Sequence, residues 1–124
     1  MKNYVMLNNV DHYDLKVINS LENNLEAAKS VVLIFPTEFV HVHKEFPILL
    51  SKLDDDKPYQ PVALMGVLPN KNLFLDKTSK KGWSWSANYI PAIINRGPFI
   101  TGLHELADGT VEKYKAKFVI KRYR

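Results

Sequence analysis

A chain of 124 residues, 46% hydrophobic and with a net charge of +4, has the size of one domain able to bury a core. It contains no cysteine, which excludes a disulfide framework, thiol catalysis and cysteine-ligated zinc. The basic charge is local: Lys113, Lys115, Lys117, Lys121, Arg122 and Arg124 crowd the C-terminal end without an acid, and the rest of the chain is net negative.

Residues 2–8 and 14–18 read as two short strands around the turn signal of Asn8-Asn9 and Asp11. No apolar stretch of signal-peptide length occurs in this region. The longest apolar run, residues 31–36, is too short to span a bilayer. The sequence therefore reads as cytoplasmic with no transmembrane segment, and surface association needs a route without a cleaved signal. Ser20 is placed to cap a helical segment over residues 21–30, with Leu21, Leu25 and Ala28 on one face. The β-branched run 31–35 predicts a buried strand.

Pro36-Thr37 opens a short helix in which Phe39, Val42, His43 and Phe46 follow i, i+3, i+4, i+7 spacing, and Pro47 stops it. Residues 48–53 and 60–67 predict a hairpin around the acidic loop Asp54-Asp55-Asp56-Lys57-Pro58. Residues 72–75 form a further strand after the Pro69-Asn70 turn. Asn88 is placed to cap a helix over residues 89–96, with Pro91 in its first turn and Gly97 as its stop. Asp108-Gly109 predicts a hairpin turn. After it, Tyr114, Ala116, Phe118 and Ile120 alternate with Lys113, Lys115, Lys117 and Val119, the pattern of a half-buried strand with the lysines in water. Many short strands, two or three short helices and no βαβ rhythm give α+β with a mostly antiparallel sheet, in a single domain over residues 1–124.

The chemistry of the candidate groups is restrained. His41 and His43 point apart on a helix, so no metal site is expected, nor any cofactor. Asp54–Asp56 read as solvated loop charge without calcium-loop spacing. Glu38, near a helix start, reads as a partner of the helix dipole. No nucleophile elbow or phosphate-binding glycine loop occurs, so no catalytic residue is assigned. Trp83 and Trp85 lie two apart with Tyr89 close behind. They read either as core and lid or as a platform for sugar rings or peptide side chains, with Asn88, Asn95 and Arg96 as the nearest polar groups. The ligand-binding candidates are thus Trp83, Trp85, Asn88, Tyr89 and Arg96. The lysine-rich end reads as a solvated, guarded strand, with no sequence-specific nucleic-acid contact.

The segments FPTEF (35–39), EFPILL (45–50), QPVALMGV (60–67), NLFLD (72–76) and GWSWSANYIPAIINRGPF (82–99), in this order, resemble the SapC family, bacterial proteins linked by name to paracrystalline surface layers. The resemblance covers about residues 1–102, corresponding to the first half of proteins about twice as long. Gly97 stands where the family often has an aromatic residue, and residues 103–124 form a divergent C-terminal hairpin. The resemblance implies a non-catalytic surface-layer or envelope-associated accessory protein with a protein or glycan partner. The alternatives are an enzyme or enzyme subunit using an aromatic and carboxylate cluster, and a small nucleic-acid-binding module. With no chain beyond it, the last strand is expected at a sheet edge, open to pairing in a homodimer.

Overall fold

The strand Gln60–Leu64 (β4) organises the main core, because it is the central strand of the three-stranded sheet packed there. In the computed structural model, which describes residues 4–17, 20–24, 26–52, 54–105, 107–109 and 111–121, it lies between Val31–Leu33 (β2) and Ile48–Ser51 (β3). Both pairings are antiparallel, with Leu33 opposite Val62, Ile48 opposite Ala63 and Ser51 opposite Gln60. Side chains alternate across a sheet, so Val32 and Ala63 point into the core while Val31 and Phe35 stay 41% and 46% exposed. The expected fully buried strand over 31–35 is therefore an edge strand with one buried face. Pro61 sits in this central strand without damage to the β3 side. Leu64 N–H donates to Pro47 O at 3.0 Å, and counting from that bond places Pro61 opposite Leu50 in a pair that exchanges no hydrogen bonds.

The helical segment after β2 forms as its sequence predicts. Pro36–Glu38 is a 3-10 turn that runs into Phe39–Val42 (α1), and Phe46 N–H donates to Val42 O at 2.9 Å before Pro47 ends the run. Val42 and Phe46 are buried, Phe39 packs at the margin of the core, and His43 is exposed. The core also takes Ala27, Ile34, Met65 and Ile94. A separate two-stranded ladder joins Leu75–Asp76 (β5) to Ser84–Trp85 (β6), with Leu75 opposite Trp85. The expected strand over 72–75 is thus confined to its end, and β6 has no counterpart in the sequence reading.

Two other expectations are shortened. Ser20 does cap, its Oγ accepting from Glu22 N–H at 3.2 Å, but helix survives only as the 3-10 turn Leu21–Asn23. Asn24 then takes over: its Oδ1 accepts from Glu26 N–H at 3.1 Å and its Nδ2 donates to Ile94 O at 2.6 Å. That exchange of a local helix for side-chain bonds is typical of asparagine. It buries Ala27 rather than Ala28. Leu25 lies outside the described residues. The second helix, Ala92–Asn95 (α2), begins after Pro91 rather than at Tyr89, and Gly97 closes it at φ 62°.

The chain divides into two compact units, residues 20–97 and residues 1–19 with 98–124. In the second unit, Tyr4–Met6 (β1), Val111–Lys121 (β8) and Phe99–Glu105 (β7) form an antiparallel sheet in the order β1-β8-β7. Tyr4 pairs with Lys121 and Phe99 with Ile120, and the β7–β8 register shifts between Gly102 and His104. The last strand is therefore central, not an edge, because β1 covers its second side. The strand expected over 14–18 does not form among its described residues. Asn8 Oδ1 instead ties down the N–H groups of Val10 and Asp11 at 3.0 and 2.6 Å, and β1 finds its partner in β8. Gly109 takes φ 80° in the predicted turn. The faces of Tyr114, Ala116, Phe118 and Ile120 and of the lysines between them lie outside the described residues. The architecture is α+β, with antiparallel sheets of short strands and two short helices.

Phe46 is 2% exposed and its ring contacts Phe74 edge-on at 4.7 Å. Phe46→Ala should lower unfolding free energy by about 3–5 kcal/mol in urea titration. Val40→Ala, on the exposed side of α1, should change it by less than about 0.5 kcal/mol.

Candidate functional site

Two glutamates presented by the α1 segment hold one distant loop. Pro36 sets the first helical turn, which places Glu38 at its third position, where a carboxylate can reach back. Its Oε2 accepts from Phe35 N–H at 2.8 Å, closing the start of its own helix. Its Oε1 accepts from Ala92 N–H at 2.8 Å and from Tyr89 O–H at 2.7 Å. Ala92 N–H is one of the donors that a helix start leaves without an internal acceptor. Glu38 therefore caps two helices that are far apart in sequence, and it does so at 4% exposure.

Glu45 lies about two helical turns further on and takes the other end of the same loop. Its Oε1 accepts from Asn88 N–H at 2.8 Å and from Asn88 Nδ2 at 2.9 Å, and its Oε2 accepts from Tyr89 N–H at 2.8 Å. Trp85 adds a third tie, its Nε1 donating to Tyr89 O at 2.9 Å. Tyr89 thus has its N–H, C=O and O–H all engaged. The Asn88 N–H bond is the largest influence on Glu45 and, with the Tyr89 N–H and Asn88 amide bonds, holds its carboxyl below the usual range against the opposing effect of burial. Burial pushes the Tyr89 phenol up to about 12, reinforced by the hydrogen bond to Glu38 and by its negative charge.

An open cleft of about 440 Å³ lies beside this loop, lined by His41, Lys44, Glu45, Asn88 and Tyr89. The His41 ring stacks on Tyr89, 5.3 Å between centroids and 18° between planes. The sequence candidates divide. Asn88 and Tyr89 line the cleft; Trp83, Trp85 and Arg96 do not. Trp85 belongs to an aromatic cluster, 6.4 Å from Phe46 and 6.2 Å from Phe74. Trp83 is half-buried, with Lys77 Nζ 4.6 Å from its ring centre and its own N–H donating to Glu22 Oε1 at 3.2 Å. Arg96 and Asn95 are exposed at the end of α2, and Asn88 serves Glu45 rather than a helix start.

The sequence reading missed His41, Lys44 and Glu45 as companions of Tyr89, and it gave Glu38 a dipole role where the structure shows three specific donors. The available signal was that Glu38 and Glu45 fall inside FPTEF and EFPILL. His43 Nδ1 lies 2.8 Å from Phe39 O. Among the described residues, no group of three or more histidine, aspartate or glutamate side chains is placed to hold a metal ion, and no helix is long and apolar enough to cross a membrane.

Glu38→Gln replaces one acceptor oxygen by a donor among N–H and O–H groups. It should lower stability by about 1–3 kcal/mol in chemical denaturation, because a buried donor is left facing donors. For Glu45 the sign follows from its depressed carboxyl: the bond set is stabilising above the ordinary value of 4.5 and is lost as pH falls through the lower folded value. The Tm difference between wild type and Glu45→Gln should be constant near neutral pH and shrink in acid. A difference that grows on acidification would contradict the geometry.

A family model described as SapC matches residues 7–120. That match continues past Gly102, where the sequence resemblance ended, and takes in β7 and most of β8. Comparison with curated proteins and with solved structures returned no match. The FPTEF, EFPILL and GWSWSANYIPA segments that meet around Glu38 and Glu45 thus lie inside a match spanning most of the sequence, and the chain belongs to the SapC family.

Proposed function

We propose that the protein is a non-catalytic binding module of the surface layer or cell envelope, making a protein or glycan contact in the cleft beside Tyr89. The observation that carries this reading is the state of the two carboxylates. A general acid or base works best when its pKa lies near the operating pH. Glu45 is held in the opposite direction, fully charged and bonded to three N–H donors. Glu38 has both oxygens engaged in the fold. That both acids are held by donors of the fold supports recognition over acid–base chemistry.

The remaining groups of the cleft suit recognition. The Lys44 ammonium and the His41 ring nitrogens have no hydrogen-bond partner among the described residues. The stacked His41–Tyr89 pair offers ring surface beside them, the combination of apolar face and few polar groups that orients a small ligand or side chain. Envelope association rests on the family's link by name to surface layers.

Isothermal calorimetry against purified surface-layer protein and against soluble envelope glycan tests the reading. Binding to one of them should weaken at least about tenfold, roughly 1.4 kcal/mol, in His41→Ala and in Lys44→Ala, with Tm unchanged. Absence of binding to both would remove the proposal. Turnover of either probe that disappears in Glu45→Gln would replace it with the enzymatic alternative.

A further inference from the structure

We infer that the cleft beside Tyr89 takes an acidic saccharide, a sugar unit whose carboxylate or phosphate meets Lys44 while its ring lies against the His41–Tyr89 stack. This rests on the recognition role proposed above and narrows it to one ligand chemistry. Lys44 and Glu45 both line the cleft. The charge of Glu45 is already answered, because its carboxylate accepts from Asn88 N–H, Asn88 Nδ2 and Tyr89 N–H, all within 2.9 Å. Lys44 is exposed and, among the described residues, has neither a hydrogen bond nor an acid within ion-pair distance. Successive residues of a helical turn do not face each other, and these two do not pair. The unanswered charge in the cleft is therefore positive, and it calls for a negative group on the ligand.

Shape separates a sugar from a peptide. Asn88 spends one amide hydrogen on Glu45, and its Oδ1 and second amide hydrogen have no partner among the described residues. The cleft thus offers a donor and an acceptor on one side chain, the combination that matches a hydroxyl. The exposed His41 ring, stacked on Tyr89 with 5.3 Å between centroids, presents ring surface to the flat C–H face of a pyranose. An aspartate or glutamate side chain brings the charge without a flat face, and a phenylalanine brings the face without a charge. A uronic acid or a sugar phosphate carries charge, face and hydroxyls on one rigid ring, so little conformational freedom is lost on binding. The volume of about 440 Å³ suits a ligand of this size. Lys44 meets either anion as a point charge, so carboxylate and phosphate are both admitted.

The test is a titration of the full chain with methyl glucuronoside, the 6-phosphate of methyl glucoside, and methyl glucoside itself, followed by backbone amide NMR. The three sugars differ only at C6. At least one of the anionic sugars should shift the Asn88 and Tyr89 amides and bind at least about fivefold more tightly than the neutral one, an advantage that fades with salt. The tighter of the two identifies the anion. Lys44→Ala should lower the acidic sugar to the affinity of the neutral one with Tm unchanged, and Lys44→Arg should keep the advantage. Equal affinity for all three sugars, or an advantage that survives Lys44→Ala, would overturn the inference and leave the recognition role standing. A hexaglutamate peptide that shifts the same amides and binds as tightly as the acidic sugars would overturn it in favour of an acidic protein partner. No shift with any of these probes would also overturn it, whereas the recognition role falls only if surface-layer protein and envelope glycan fail to bind as well.

Discussion

Removing a carboxylate from water is costly unless donors replace the water, and a buried carboxylate therefore dictates what surrounds it. Glu38 is such a group. It is set by Pro36 at the start of α1, and its oxygens receive the N–H of Phe35, the N–H of Ala92 and the hydroxyl of Tyr89. No two of those donors are neighbours in sequence, so satisfying one side chain fixes the start of α1, the start of α2 and the loop between β6 and α2. Glu45 repeats the device at Asn88 and Tyr89. With both in place, the Trp85 indole closes over Phe46 and Phe74, and Ile94 is delivered to the core.

Asparagines extend the same logic to the rest of residues 20–97. Asn24 Nδ2 holds Ile94 O at the end of α2, and Asn72 Nδ2 holds Ala27 O at 2.8 Å while its Oδ1 receives Phe74 N–H at 2.9 Å. Short strands and four-residue helices bury little surface by themselves. Long-range side-chain bonds to backbone supply the register that long elements would otherwise provide. The price of that arrangement is that the acids and amides most suggestive of chemistry are occupied, and the recognition role proposed for the cleft beside Tyr89 rests on that occupancy.

What the sequence made legible follows the reach of each signal. β2, β3, β4 and α1 were readable because their patterns are local: β-branched runs, proline stops, an acidic loop and i, i+3, i+4, i+7 spacing. The segments over 21–30 and 89–96 misled for one reason. Ser20 and Asn88 both look like helix caps, yet Asn24 prefers Ile94 O and Asn88 prefers Glu45, bonds that no window of sequence contains. The aromatic candidates split similarly. Trp83 and Trp85 have equal claims by spacing, but Leu75 opposite Trp85 draws one indole into a cluster while Lys77 meets the other. His41, Lys44 and Glu45 join Asn88 and Tyr89 only through the fold, so the cleft had no linear signature.

The central claim is that Glu38 and Glu45 each hold their own donors in the 88–92 loop. Native-state hydrogen exchange at single-residue resolution measures this directly, since protection reports the opening of particular bonds. Exchange of the Ala92 and Phe35 amides should speed up in Glu38→Gln while Asn88 keeps most of its protection, and Asn88 and Tyr89 should speed up in Glu45→Gln at constant pH. Uniform acceleration across the core, or unchanged protection at all four amides, would contradict the account.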